Sequence, residues 1–172
     1  MTEVLTNKPS KYDFWTVNGS QSFGVFPAST IPGIAHELPI RLQRGTIEWG
    51  STHVEKKHGH WLLKHKVNVG EMLWKKTQQV GTIYATETED KTKISLTFFP
   101  TALLILRLIR GDSPYLRVVT IYEHPKEALD GEQIGRFVGT KHEGTPSIIA
   151  PVQRETLVSF KQKPKLFTKP LS

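Results

Sequence analysis

Three of the chain's seven histidines and two of its lysines fall in one short stretch, Gly50-Ser51-Thr52-His53-Val54-Glu55-Lys56-Lys57-His58-Gly59-His60. Imidazole and ammonium groups at that density can move protons near neutral pH while holding an anionic group. Thr52 and Glu55 stand at the T-x-x-E spacing of a capping box, which predicts Thr52 as N-cap and His53 as the first helical residue. In a first turn the positive end of the helix dipole disfavours imidazolium, so His53 suits a general base. Lys57 lies on the same helical face as His53, whereas His58 is turned away by about 140°. Gly59 is expected to end or bend the turn. The plain alternative is a solvated basic helix end whose histidines do no chemistry. A metal reading is weaker still. His58, His60 and His65 can supply imidazoles, but Glu55 is the one carboxylate at a ligand spacing within the helix, and it is committed to the cap. No metal and no cofactor is expected.

Such a cluster needs a scaffold, and the rest of the chain supplies one. Residues 1–11 are polar and prolyl and read as a flexible arm. Tyr12 to Phe26 holds two aromatic and β-branched runs about Asn18-Gly19, a hairpin signal, with Trp15, Phe23 and Phe26 as core or lid candidates. Pro27 to Pro39 is a loop, and Leu38 to Gly45 a short alternating strand. After Gly59, residues 60–66 either continue the helix or form a connector. Val67 to Val80 is a second helix, closed by Gly81. From Thr82 the period changes to two, giving strands at 82–88, 92–99, 102–109 and 115–122, joined by short turns as an antiparallel meander. Residues 133–140 and 156–161 are further strand candidates. The tail 161–172 alternates lysine with proline and is expected to be disordered. The fold class is therefore α+β: two helices packed on an antiparallel meander sheet, with an extra N-terminal hairpin and a C-terminal extension, in one domain over residues 12–160.

Composition narrows the partners. A chain of 172 residues with net charge +7 can bury a full core, and its natural macroscopic partner is a polyanion, nucleic acid ahead of anionic lipid. The absence of cysteine removes disulfides and thiolate metal sites and fits a cytoplasmic location. The N-terminus lacks the order of a signal peptide. The most apolar run, Leu96 to Ile109, is interrupted by Pro100 and Arg107, so no membrane is expected.

Three stretches, Pro39-Ile-Arg-Leu-Gln-Arg-Gly, Ser51-Thr-His-Val-Glu-Lys-Lys-His-Gly and Leu116-Arg-Val-Val-Thr-Ile-Tyr, follow one another in an order that resembles the barnase, EndoU, colicin and RelE-like ribonuclease superfamily. The match is to its phage and polymorphic-toxin branches and covers about residues 39–124. There the usual order is a strand, a short helix written His-Ile/Val-x-x-Arg/Lys-His, a second helix, and a last strand carrying Thr or Tyr. The resemblance implies metal-free, toxin-like cleavage of RNA, a hydrolase-type activity. It gives His53 the role of base, has Lys57 and His58 share those of acid and phosphate clamp, and makes Thr120 and Tyr122 hydrogen-bonding partners on the last strand. Arg107, Arg117, Lys56 and His60 would then contact the nucleic acid. It also implies an inhibitor partner of immunity or antitoxin type. Trp49, Trp61 and Trp74 surround the cluster as core residues, or as platforms for a stacked base.

Two functions compete on this reading. One is a metal-independent endoribonuclease; the other is a non-catalytic domain that binds nucleic acid or protein with a basic face. The enzyme requires the 53–60 cluster to converge with Thr120 or Tyr122, whereas the binding domain requires only positive charge.

Overall fold

The computed structural model describes residues 10–88, 91–98, 102–124, 131–140 and 144–151. Its elements are β1 (Thr16–Val17), β2 (Ser22–Phe26), β3 (Leu38–Arg41), α1 (Gly50–His65), α2 (Val69–Thr77), β4 (Gly81–Thr88), β5 (Lys91–Phe98), β6 (Ala102–Ile109), β7 (Tyr115–Tyr122), β8 (Glu132–Phe137) and β9 (Ile148–Ile149). The class is α+β. Residues 1–9 of the arm expected over 1–11, the strand at 156–161 and the basic tail lie outside the described residues, while Ser10 and Lys11 accept backbone hydrogen bonds from Asp13 and Gly45. Among the described residues no helix is long and apolar enough to cross a membrane.

The alternating stretch from Thr82 to Tyr122 folds as its pattern dictates, with β4, β5, β6 and β7 paired consecutively and antiparallel. The sheet does not stop there. Its order is β2-β3-β7-β6-β5-β4-β8, with β8 antiparallel to β4 and β3 parallel to β7. It is thus a seven-stranded mixed sheet, not an antiparallel meander alone. Parallel neighbours need a long crossover. Here the crossover holds both helices and the first three strands of the meander. One face buries Ile83, Ile94, Leu96, Leu104, Leu106, Leu116, Val118 and Ile121 in a core that also takes Trp15, Phe23, Phe26, Val54, Trp61, Leu62 and Met72.

The N-terminal hairpin closes at its turn but does not extend: about Asn18 and Gly19, at φ 52° and 79°, Val17 and Ser20 exchange backbone hydrogen bonds at 2.7 and 3.0 Å, whereas β1 pairs with β9 and β2 with β3. The reason is the Asn18 amide and backbone, which exchange hydrogen bonds with Ser147 at 2.8 and 2.9 Å and tie β1 to the later strand.

The helix limits also differ from the expected ones. The N-cap of α1 is Trp49, without a side-chain cap. The first amides are taken instead by the preceding loop: Ser51 N donates to the Gln43 carbonyl at 3.0 Å and Thr52 N to the Arg44 carbonyl at 2.9 Å. No capping box forms, and His53 is the fourth residue of the helix, not the first. The loop must press closely on the helix start to do this. A Cβ on Gly50, at φ +80°, would lie 2.8 Å from the Gln43 oxygen and from the Gly45 Cα, so only glycine fits. Nor does Gly59 end the helix. It bends at His58 (φ −127°, ψ 17°) and runs on to a left-handed cap at Lys66. In α2 the Asn68 side chain accepts from Glu71 N at 2.8 Å, the helix closes at Thr77, and Gly81 begins β4.

The placement of α1 matters most for the site. β3 reaches β7 only through Ile40–Leu116 and Arg41–Arg117, and α1 packs against β7. α2 lies on β2 and β9 instead of the meander, again unlike the expected packing of both helices on those strands.

Candidate active site

Strand register decides which side chains share the face opposite the core. Cross-strand partners point to the same side, so Arg107 shares its face with Arg117, Ile105 with Thr120, and Leu103 with Tyr122. The register shifts between Ile105 and Leu106, where Val119 is the extra residue of a β-bulge. Strict alternation would put Thr120 and Tyr122 on the core side with Leu116 and Val118; the bulge moves them to the side of Tyr115 and Arg117.

Onto this face α1 delivers its histidines. The His58 ring stacks on the Tyr122 ring with centroids 4.8 Å apart and planes at 17°. The His53 ring meets His58 edge-on at 5.9 Å, and His124 meets Tyr122 edge-on at 6.4 Å. On a regular helix residues 53 and 58 would diverge; the bend at His58 is where that geometry is broken. His53 is oriented by the loop before the helix, because its Nδ1 lies 2.7 Å from the Ile47 carbonyl. A carbonyl only accepts, so Nδ1 carries the proton and Nε2 is left to exchange one.

Electrostatics then distinguish the two rings. Partial burial pushes the His58 pKa below the ordinary histidine value, and the neighbouring charges of His53 and Lys57 push it the same way. Both effects favour the neutral imidazole of His58. Glu55, though largely exposed, is raised by local desolvation, with the Arg44 charge opposing.

A second feature lies along the same face. Arg41 is opposite Arg117, Arg117 opposite Arg107, and Arg107 opposite Lys93, so four cations line up across β3, β7, β6 and β5. Like charges placed directly opposite repel. Aromatic rings offset part of this: Arg117 lies over Trp49 at 4.0 Å, and Arg41 over Tyr115 and Phe14 at 5.0 and 5.7 Å. The buried Gln43 fixes Tyr115 by accepting its hydroxyl at 3.0 Å. The Nε groups of Arg41 and Arg117 remain buried without a hydrogen-bond partner. Burial and the Arg107 charge also lower the Arg117 pKa, while Tyr115 and Tyr12 act to raise it. The four aligned cations make this face strongly positive.

Of the residues singled out from sequence, His53, His58 and Tyr122 meet, and Arg107 and Arg117 join the cation row. Thr120 lies on the same face but is 6 % exposed, with its hydroxyl buried and unbonded. Lys57 is exposed beside His58, and its charge is felt there. Lys56 and His60 are exposed on α1 and join neither group. Among the described residues no three metal-ligating side chains gather. Sequence reasoning missed Arg41 and Lys93, whose membership of the row depends on register. It named Trp49 without its guanidinium partner. Trp61, by contrast, is buried core.

No protein-family model matches the chain, and comparison with curated proteins and with solved structures gives no match.

Two outcomes follow from this geometry. A histidine depressed on folding makes the native state lose stability as pH falls below the unfolded value near 6.5 toward the folded one. NMR titration should find the His58 midpoint below 6.5, and Lys57→Gln should move it upward. Neutralising one charge of the row should relieve repulsion, so Arg107→Gln should stabilise the fold by about 0.5 kcal/mol at low salt, with the gain shrinking as salt is added. Urea unfolding at two ionic strengths measures this.

Proposed function

We propose that the chain is a metal-independent endoribonuclease that cleaves single-stranded RNA by attack of a ribose 2′-hydroxyl on the adjacent phosphate. One observation carries the reading: two histidines of α1 and the Tyr122 ring of β7, about seventy residues apart in sequence, form a continuous chain of ring contacts on a sheet face that also carries a row of four cations.

The chemistry needs a base, an acid and charge stabilisation. His58, whose neutral form is favoured by burial and by its cationic neighbours, takes the 2′-hydroxyl proton as the O2′–P bond forms. His53, with Nδ1 committed to Ile47, delivers a proton from Nε2 to the departing 5′-oxygen as the P–O5′ bond breaks. The products are a 2′,3′-cyclic phosphate and a free 5′-hydroxyl. This exchanges the roles of the two histidines relative to the sequence expectation, in which a capping box made His53 the first helical residue; that box does not form. Lys57 and the Tyr122 hydroxyl serve the phosphorane oxygens, and the arginine row holds flanking phosphates. Thr120 is too deeply covered to touch substrate, so it has no role in the step. The resemblance to the barnase, EndoU, colicin and RelE-like superfamily supports the same chemistry, and an inhibitor partner rests on that resemblance alone.

The second reading keeps the arginine row and discards the histidine chemistry, since four aligned cations suffice to bind a phosphate backbone. Incubation of varied single-stranded RNAs with the protein in EDTA separates the two. The enzyme should cut them and leave 2′,3′-cyclic ends, and His58→Gln should slow cutting by about 10²- to 10⁴-fold. Intact RNA after long incubation with the wild type would leave only the binding reading, and activity lost to EDTA alone would contradict the metal-free route.

A further inference from the structure

A cleft of about 440 Å³ opens at the far side of the sheet, lined by Thr82, Thr97, Gln133 and Arg136, with Val80 and Phe98 beside them. Register ties it to the histidine site. Tyr122 is opposite Leu103, Leu103 opposite Thr97, Thr97 opposite Thr82, and Thr82 opposite Arg136. The cleft therefore lies on the same face as Tyr122 and on the same row, displaced only across the strands. Four inter-strand steps of about 4.8 Å put the Tyr122 and Arg136 backbones roughly 19 Å apart along the sheet. That is a span of roughly two or three nucleotides of an extended strand.

The lining chemistry fits one such nucleotide. Arg136 is exposed and can take a phosphate. The Thr82 and Thr97 hydroxyls and the Gln133 amide offer donors and acceptors to a base edge. The Phe98 and Phe137 rings, edge-on at 6.0 Å, lie on the core side and anchor the strands beneath the cleft. At Gly81 β4 and β5 approach closely, because a Cβ there would lie 2.5 Å from the Thr97 carbonyl oxygen.

We propose that this cleft is a distal nucleotide subsite, which binds a residue of the same RNA strand two or three positions from the phosphate at His58 and Tyr122. The proposal rests on the ribonuclease reading, and it makes the protein a reader of oligonucleotide length.

Fluorescence anisotropy with 2′-fluoro RNA, which binds but lacks the attacking hydroxyl, tests the subsite without requiring turnover. A pentanucleotide should bind the wild type more tightly than a dinucleotide. Arg136→Gln, and separately Thr82→Val, should weaken the pentanucleotide by about 5- to 10-fold and leave the dinucleotide unchanged. Arg117→Gln should weaken both. Equal loss for the two lengths on Arg136→Gln would reduce Arg136 to general positive charge and overturn the subsite, as would no loss for either. Length-dependent binding by a protein that cuts no natural RNA would sink the ribonuclease reading and leave the subsite standing. Failure to bind either oligomer would overturn both.

Discussion

The site depends on β3 pairing with only the first part of β7. Ile40 and Arg41 meet Leu116 and Arg117, and the ladder goes no further. The chain then leaves the sheet, doubles back through the loop at 43–45, and starts α1 against β7. A helix beside a strand margin can serve two faces at once. Val54 joins the core while His58 reaches across to Tyr122. Had β3 run the length of β7, that margin would hold a ladder of backbone hydrogen bonds and the histidines would have no strand partner.

The arginine row illustrates a conflict between folding and binding. The core side of β5, β6 and β7 is filled with leucine, isoleucine and valine, and it secures these strands well enough to tolerate repulsion on the other side. The repulsion is concentrated where a backbone of phosphates would relieve it. Trp49 and Tyr115 hold two of the guanidinium groups in place without neutralising them. Such local conflict stands out in a fold that is otherwise consistent.

Legibility in the sequence followed the range of the interactions. The two helices and the four meander strands could be read because apolar period is a local signal, and so could the clustering of His53, Lys57 and His58. The start of α1 could not, since its amides are taken by Gln43 and Arg44 in place of the neighbouring Thr52 and Glu55. The parallel pairing of β3 with β7 joins residues some seventy-five positions apart and leaves no mark on either strand alone. The bulge at Val119 is similarly silent, yet without it Tyr122 would face the core. Arg41 and Lys93 looked like isolated charges until register aligned them with Arg107 and Arg117. Local pattern thus identified the candidate chemistry, and non-local register determined which residues share it.

The central claim is that α1 and β7 act on one phosphate, and a double-mutant cycle in single-turnover RNA cleavage tests it most directly. His53→Ala deletes a half-buried ring and Tyr122→Phe only a hydroxyl, so both variants should fold. Groups that serve the same transition state give non-additive losses. The account predicts that the double variant is little slower than the worse single one, itself reduced by about 10²- to 10⁴-fold. Losses that simply multiply, or cleavage by His53→Ala at the wild-type rate, would contradict it.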